Sequence, residues 1–493
     1  MSLSLMVAFA IALFCVIRLD MLPNKLFLII TGTVLIIWIA LTLLLVLPSK
    51  NERKLRAVIA CIVSFAMICG CAWLSDFTGK IYTTIQAITN TTTITTEYTV
   101  YVRIDDAANE LNNAKNYTIG LFYAPGDESL DKTIATLEEE LEHPLNTKTF
   151  ANVPELINAL YHGQVDAIIL DDGYVSILEE TELFADFTTR ARAIHSFTVE
   201  ETIIVPTEPS TEPPTDPDTN ETSDDIEPFI LYISGLDTRK PTLSKSRSDV
   251  NILVVVNPQT KQILLINTPR GFYIPNPAGN GALDKLSHCG NYGINCSVQA
   301  LSDLYNVHID QFAQINFTGF KTLIDAIGGV TVYSDMEFTG ENFSYSIGYN
   351  EMNGEKALEF ARTRKGLPGG DTTRGKHQMS VLAAVIDKMT ATSTFISNYT
   401  EIMDSLQDMF QTSMTPEMIS DLIKMQLSDM SSWNIQSYSV TGTSSSQITY
   451  SMPGQYLSVK FPDVETIEHA TNLMNRVLSG ETLNADDMIL PES

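Results

Sequence analysis

The chain opens with three apolar runs, Leu3 to Ile17, Leu26 to Leu47 and Leu55 to Leu74. A hydrocarbon layer roughly 30 Å thick takes about 20 apolar residues in helical form to cross. The second and third runs are long enough and the first is marginal. Whatever follows them has to fold beside a bilayer, and no other feature narrows the possibilities as much. A cleaved signal peptide would carry a basic segment ahead of its apolar run. None is present here, and two more runs follow at once. Residues 1–75 are therefore expected to form a membrane region of three transmembrane helices.

The loops between the runs set the orientation. The second loop, "SKNERKLR", carries Lys50, Arg53, Lys54 and Arg56, whereas the first holds only Arg18 and Lys25. The positive-inside bias places the second loop and the N-terminus in the cytoplasm. The expected localisation is the cell membrane, multi-pass, with the large C-terminal part extracellular.

Charge then limits the partners. Taking the six basic and two acidic residues of 1–75 from the chain's 31 and 59 leaves 25 basic and 57 acidic residues, a net of −32 for the exterior part. Such a surface repels nucleic acid and anionic lipid, so no nucleic-acid partner is expected. Cys15, Cys61, Cys69 and Cys71 lie in the apolar runs and serve there as apolar filler. Cys289 and Cys296 are an outer pair for which a disulfide is permitted; two free thiols are the other reading.

Beyond the membrane region, residues 76–92 form a connector in which a helix fades into polar sequence. An accessory α/β domain is expected over 93–204. "TTEYTVYVR", "NYTIGLFYA", "NTKTFA", "VDAIILDD" and "RAIHSFTVEETIIV" have strand patterning, while "DESLDKTIATLEEELE" and "VPELINALYHGQ" have helical spacing. Alternating strands and helices imply a small, largely parallel sheet. The order strand, helix, strand resembles one lobe of a periplasmic-type binding protein, in which Gly163 ends the helix and Asp166 opens the next strand. With one lobe only, a spacer or partner-docking role is the simpler reading. Residues 205–227 are a Pro, Thr and acidic linker, "VPTEPSTEPPTDPDTNETSDD" at its heart, which cannot bury a core.

The last unit, 228–493, mixes strands and helices. "VNILVVVNPQTKQILLINTPR" predicts a hairpin turning at "NPQT". "SVQALSDLYN", "FTGFKTLIDAIGG", "NGEKALEFARTR", "TRGKHQMSVLAAVIDKMT" and "TPEMISDLIKMQLSDM" predict helices, the last capped by Thr415. Its chemistry should lie at strand ends. Asp237 stands in "GLDTR", Arg247 and Asp249 in "SRSD", and Arg270 in "NTPRG". In addition, "EFARTRKGLPGGDTTRGKHQ" (359–378) packs five Lys or Arg into twenty residues, among them Arg362, Arg364 and Arg374, and ends on Gln378. A guanidinium is a planar fork of donors that suits phosphate. Two carboxylates among such arginines suit a hard cation that takes one or two carboxylates plus phosphate oxygens. Together these are the parts of phosphoryl transfer. His288, His308 and His377 stand apart and are treated as ordinary polar residues.

"GLDTR", "SRSDVNILVVVNPQTKQILLINTPR", "DKLSH", "INFTGFKTLIDAIGGV", "NGEKALEFARTR" and "DTTRGKHQ" come in the order found in the LytR–CpsA–Psr family of cell-wall proteins, which residues 228 to about 450 resemble. Three spanning helices followed by an accessory domain resemble its capsule-associated branch. The resemblance implies a three-layer α/β/α domain and a phosphotransferase. The expected activity transfers an anionic glycopolymer from a polyprenyl-pyrophosphate carrier to peptidoglycan. The implied partners are that lipid-linked glycopolymer, peptidoglycan, membrane lipid, and cell-wall or capsule assembly proteins. It implies Mg²⁺ or Mn²⁺ at Asp237 and Asp249, and pyrophosphate binding by Arg247, Arg270, Arg362, Arg364, Arg374 and Gln378. Asp249, Arg270, Arg362 and Arg364 are the expected catalytic residues. Two positions depart from the family pattern: Gly271 replaces the Asp that usually follows the strand-end Arg, and His377 replaces an Arg before the late glutamine. A non-catalytic binder or sensor of polyprenyl pyrophosphate, and a hydrolase of the same lipid-linked sugar, stand as alternatives.

Overall fold

The computed structural model describes residues 2–46, 53–89, 93–123, 129–202, 226–238, 243–391, 402 and 409–490. Three N-terminal helices stand at the apolar runs: α1 (Ser2–Leu19), α2 (Asn24–Val46) and α3 (Arg53–Thr89). Among the described residues, one stretch, Cys61–Thr89, is long and apolar enough to cross a membrane; the apolar stretches Met6–Arg18 and Asn24–Ala40 are shorter.

The helix expected to continue into the connector over 76–92 runs as far as Thr89. Ile81, Ile85 and Ile88 recur at i, i+4 and i+7, which places them on one helix face. All three are buried, and they pack with Met21 against Ile324, Val332, Phe360 and Val385 of the C-terminal domain. Lys424 adds an ion pair to Asp20 at 3.0 Å. The end of α3 is a stem seated on the domain it carries.

The accessory domain has five strands, β1 (Thr93–Arg103), β2 (Thr118–Phe122), β3 (Asn146–Phe150), β4 (Ala167–Asp171) and β5 (Ala191–Thr202), in the order β3-β2-β4-β1-β5. Only β3-β2-β4 is parallel; β1 runs antiparallel to both β4 and β5. The largely parallel sheet expected from the sequence is therefore mixed. The β2–β3 and β3–β4 connections each carry a helix, which parallel pairing needs, whereas β1 and β5 pair as a long antiparallel ribbon. Helix α4 (Ser129–Leu141) covers one face, with Leu130 and Leu137 against Ile119, Leu121 and Ile169. Helices α5 (Val153–Tyr161) and α6 (Asp172–Leu178) cover the other. After α5, Gly163 takes φ +67°, a turn conformation glycine adopts without strain, and the Asp166 carboxylate accepts from the Thr118 N–H at 2.9 Å. The linker expected over 205–227 lies outside the described residues up to 225.

The C-terminal domain is built on β6 (Phe229–Leu236), β7 (Ser248–Asn257), β8 (Gln262–Asn267), β9 (Gln311–Asn316), β10 (Phe410–Thr412) and β11 (Asn434–Ser439), in the order β10-β9-β6-β7-β8-β11. The hairpin turns where "NPQT" predicts: the Asn257 side chain accepts from the N–H groups of Gln259 and Thr260, both at 3.1 Å. Successive residues of these strands face opposite sides. Tyr232, Leu253, Val255, Leu264 and Ile266 face α7 (Ile294–Tyr305) and α12 (Val464–Leu478). Ile252, Val254, Val256, Ile263 and Leu265 face α10 (Asp371–Thr390) and α11 (Pro416–Asp429). Burial on both faces explains the unbroken apolar run in "ILVVV". The result is the three-layer α/β/α domain expected from the sequence.

Between β9 and α10 the chain forms α8 (Phe317–Ala326) and α9 (Gly354–Arg362). Asn353 caps α9 through the Lys356 N–H at 3.0 Å, and Gly354 is required where the helices touch: a Cβ there would lie 2.2 Å from the Lys321 carbonyl oxygen. A last hairpin, β12 (Gly442–Thr449) and β13 (Met452–Pro462), reaches the accessory domain, and its Met452 and Leu457 complete the apolar layer of Leu156, Tyr174, Leu178 and Phe184. The two domains thus share a core. Cys289 and Cys296 are buried free thiols, so the disulfide expected as one reading is not formed. The Cys296 thiol donates to Asn276 Oδ1 at 3.3 Å.

Candidate anion site at the strand ends

β6 ends at Leu236, β7 runs antiparallel to it from Ser248, and β8 ends at Asn267. Asp237, Arg247, Asp249 and Arg270 therefore emerge at one end of the sheet, although they come from three segments of sequence. A register shift at Gly235 and Leu236 bends β6 at this point; such bulges re-aim side chains beside functional sites.

Arg247 is nearly covered, with 7% of its side chain exposed. It donates to Asp237 Oδ2 at 2.6 Å. Arg270 donates to Asp249 Oδ1 at 2.7 Å. Burial pushes the Asp249 carboxyl up, but the charges of Arg270, Arg247 and Arg374 outweigh it and hold it below the usual carboxylate range. Asp249 is thus an anion at neutral pH.

The basic segment supplies the other wall. Arg362 closes α9 and lies over the Phe317 ring at 4.2 Å, with its Nη2 3.9 Å from Asp237 Oδ1. Its side chain is 41% exposed, and Arg364 on the following loop is also exposed. Arg374, in the first turn of α10, pairs with Asp371 at 2.6 Å and is buried. Gln378 lies one helical turn further on and is buried too. The structure thus brings Asp237, Arg247, Asp249, Arg270 and Arg362 to one end of the sheet, with Arg364 and Arg374 beside them, while Gln378 makes no described contact with the cluster.

Three residues were not expected there: Asp371, the partner of Arg374, Lys285 and Glu180. Lys285, inside the quoted "DKLSH", is buried and donates to Glu180 Oε2. Glu180, from the accessory domain, also accepts from Arg247, and from Arg270 at 3.4 Å. Six cations (Arg247, Arg270, Lys285, Arg362, Arg364, Arg374) face four carboxylates (Glu180, Asp237, Asp249, Asp371). Positive charge is in surplus on a chain of net −28. The Nε–H donors of Arg247 and Arg374 are moreover buried without an acceptor. Buried donors normally find partners, in the protein or in ordered water or a ligand.

Among the described residues, no group of three or more His, Cys, Asp or Glu side chains is assembled for a metal. Asp237 is held by Arg247 and approached by Arg362, and Asp249 is held by Arg270. A two-carboxylate set beside an anion site fits an ion that draws its other ligands from phosphate oxygens and water.

Two of the histidines set aside as ordinary are core residues. His288 is fully buried, with Nδ1 2.7 Å from Asp284 Oδ1. His377 stacks between Phe360 at 4.1 Å and Phe338 at 5.2 Å. It therefore belongs to the core instead of the arginine cluster. Gly271 borders open space: a Cβ there would meet only the Lys460 nitrogen, at 4.0 Å.

Residues 200–471 match the LytR_cpsA_psr family model. Over 191 residues, 38% of this chain and 62% of the relative, the sequence is 31% identical to the polyisoprenyl-teichoic acid–peptidoglycan teichoic acid transferase TagU of Enterococcus faecalis. Over 199 residues, 40% of this chain and 64% of the relative, it is 33% identical to the protein of the same name from Bacillus cereus. The chain therefore spans under two thirds of the length of either relative. The crystal structure of B. subtilis TagV superposes with a TM-score of 0.43, covering 52% of this chain and 99% of that one at 23% identity.

Proposed function

The chain belongs to the LytR_cpsA_psr family, whose model covers more than half of it, and from that premise we propose that it transfers an anionic glycopolymer from a polyprenyl-pyrophosphate carrier to a peptidoglycan hydroxyl. The observation that carries this reading is the convergence of Arg247, Arg270, Lys285 and Arg362 at the strand ends beside Arg374, with the Nε–H donors of Arg247 and Arg374 lacking a protein acceptor. The names of the TagU relatives supply the substrate class: a teichoic acid on a polyisoprenyl carrier, and peptidoglycan.

The chemistry follows from the placement. An acceptor hydroxyl oxygen bonds to the phosphorus that bears the glycan, and the bond from that phosphorus to the bridging oxygen breaks. Polyprenyl phosphate leaves with the electron pair. Arg247, Arg270, Arg362, Arg364 and Arg374 neutralise the charge that gathers on the leaving phosphate, and Gln378 offers a neutral amide beside them. Asp249, ionised and part of the site floor, is the carboxylate that takes the hydroxyl proton. Asp237 and Asp249 would hold Mg²⁺ or Mn²⁺, which when bound would offset phosphate charge.

The stem also supports the location: a domain seated on a membrane helix meets a lipid-borne donor at the bilayer surface. In this reading all three N-terminal helices span, the N-terminus is cytoplasmic and the two folded domains are extracellular, within reach of cell-wall or capsule assembly proteins.

The test is to reconstitute the full chain in lipid nanodiscs with a polyprenyl-pyrophosphate-linked glycan, Mg²⁺ and peptidoglycan fragments, and to look by mass spectrometry for a phosphodiester-linked product. Product that disappears in Asp249→Asn, which keeps an acceptor for Arg270, supports the transferase. Tight lipid binding without product or released polyprenyl phosphate would instead identify a binder or sensor, and release of glycan phosphate without acceptor would identify a hydrolase.

A further inference from the structure

The anion at the centre of the arginine cluster belongs to a different domain from the arginines. Glu180 stands two residues past α6, and both of its carboxylate oxygens are used. Oε1 accepts from Arg247 and from Arg270, and Oε2 accepts from Lys285. Three cations from three segments converge on one carboxylate, which is the reception a pair of phosphate oxygens would meet.

The turn that presents Glu180 is firmly set. The Thr181 hydroxyl donates to the Leu178 carbonyl at 2.7 Å and accepts from the Phe184 N–H at 3.1 Å. Leu178 and Phe184 are buried with Met452 and Leu457 of the C-terminal domain. Next to it, Asn291 Nδ2 donates to the Gly173 carbonyl, and the hydroxyls of Tyr174 and Tyr292 meet, both at 3.4 Å. The side chain itself is only 24% exposed. Burial pushes its carboxyl up, but Lys285, Arg247 and Arg270 prevail and hold it well below the usual carboxylate range. Glu180 is therefore an anion held in an anion site.

We infer that Glu180 is a specificity-determining residue: it fills the place of a ligand phosphate among Arg247, Arg270 and Lys285, and a diphosphate binds by displacing it. The inference rests on the diphosphate reading of the site. A ligand entering with Glu180 in place would bring its phosphate oxygens against a fixed negative charge, and like charges in contact are costly in a partly buried site. Displacing it exchanges one carboxylate charge for the ligand's. A singly charged anion gains almost nothing by that exchange, whereas a diphosphate brings more charge than it displaces. The internal carboxylate thus screens out weakly charged anions and admits a pyrophosphate. Displacement needs only rotation of the side chain, so the shared core of the two domains stays intact.

The test measures binding of farnesyl diphosphate and farnesyl monophosphate to the full chain in nanodiscs by calorimetry, for the wild type and for Glu180→Gln, which keeps the shape and removes the charge. The expected result is tighter binding of both lipids by the variant, by at least roughly fivefold. The gain should be larger for the monophosphate, so the preference for diphosphate narrows. Glu180→Asp keeps the charge but draws it back by one methylene and should fall between the two; it carries the test if the Gln variant does not fold. Unchanged affinities in a wild type that binds diphosphate would overturn the inference and leave the site reading standing. Weaker binding by the variants would also overturn it and make Glu180 a support for the ligand. Binding by neither protein would overturn both the inference and the diphosphate reading.

Discussion

Asp249 and Arg270 are joined by a 2.7 Å hydrogen bond across the ends of neighbouring strands, twenty-one residues apart in sequence. The pair is largely buried and lies at the floor of the site. Removing Asp249 leaves Arg270 only its longer, 3.4 Å contact with Glu180. Asp249→Ala is expected to cost about 3 kcal/mol or more, seen as a melting temperature several degrees lower for the full chain in detergent. Asp249→Asn, which can still accept from Arg270, should cost clearly less.

Arg362 separates binding from stability. It is part exposed, and its carboxylate partner Asp237 is 3.9 Å away. Exposed pairs of this kind contribute little, and the stack on Phe317 adds about 0.5–1 kcal/mol, so Arg362→Ala should cost no more than about 1 kcal/mol. Its fork would still be lost to the ligand. Hydrogen bonds to charged groups are worth about 1.5–3 kcal/mol, so farnesyl diphosphate should bind at least about tenfold more weakly. Calorimetry beside a thermal melt checks both halves.

The shared core makes a second kind of prediction. Leu457 belongs to the C-terminal domain but is buried against Leu156, Tyr174 and Phe184 of the accessory domain. Leu457→Ala should cost about 2–5 kcal/mol and expose the accessory domain to proteolysis first. Cleavage confined to the β12–β13 hairpin would contradict the shared core.

His377 gives a pH dependence whose sign follows from its burial. Burial holds the imidazole below its ordinary value, against the opposing pull of the Phe360 carbonyl and Asp335. Below about pH 6.5 the unfolded chain takes up a proton that the folded one resists. Stability should therefore fall as pH drops from about 6.5 towards the folded value. His377→Phe keeps the stack on Phe360 and should flatten the melting temperature between pH 7 and 5; an unchanged slope would contradict this.

Gly271 and Gly354 should respond oppositely to a side chain. Space is open beyond Gly271, so Gly271→Asp should fold with a stability change within about 0.5 kcal/mol. Gly354→Ala would drive a methyl into the Lys321 carbonyl and should prevent α8 and α9 from packing as they do, which a thermal melt would register as a large loss.

Much of this protein is written in local pattern. The three N-terminal helices follow from run length alone, and the central strands follow from apolar runs bounded by turn residues such as "NPQT". Asp237, Arg247, Asp249 and Arg270 stood out as candidates because each follows or begins an apolar strand, and Arg362, Arg364 and Arg374 because basic residues crowd an acidic chain. The stem residues Ile81, Ile85 and Ile88 were spaced for a helix face, but a pattern cannot name the surface that covers it. Tertiary structure alone decided the rest. The mixed accessory sheet depends on which strands pair across the return of β5. Lys285 becomes a site residue only when the hairpin from Tyr273 to Lys285 folds under the strand ends. Glu180 is one acid among 59 Asp and Glu, with no local mark to set it apart. Its contacts with Arg247, Arg270 and Lys285 span 67, 90 and 105 residues and exist because two domains bury a common core. Local sequence sets what each segment can form; which charges meet is decided by how those segments exclude water together.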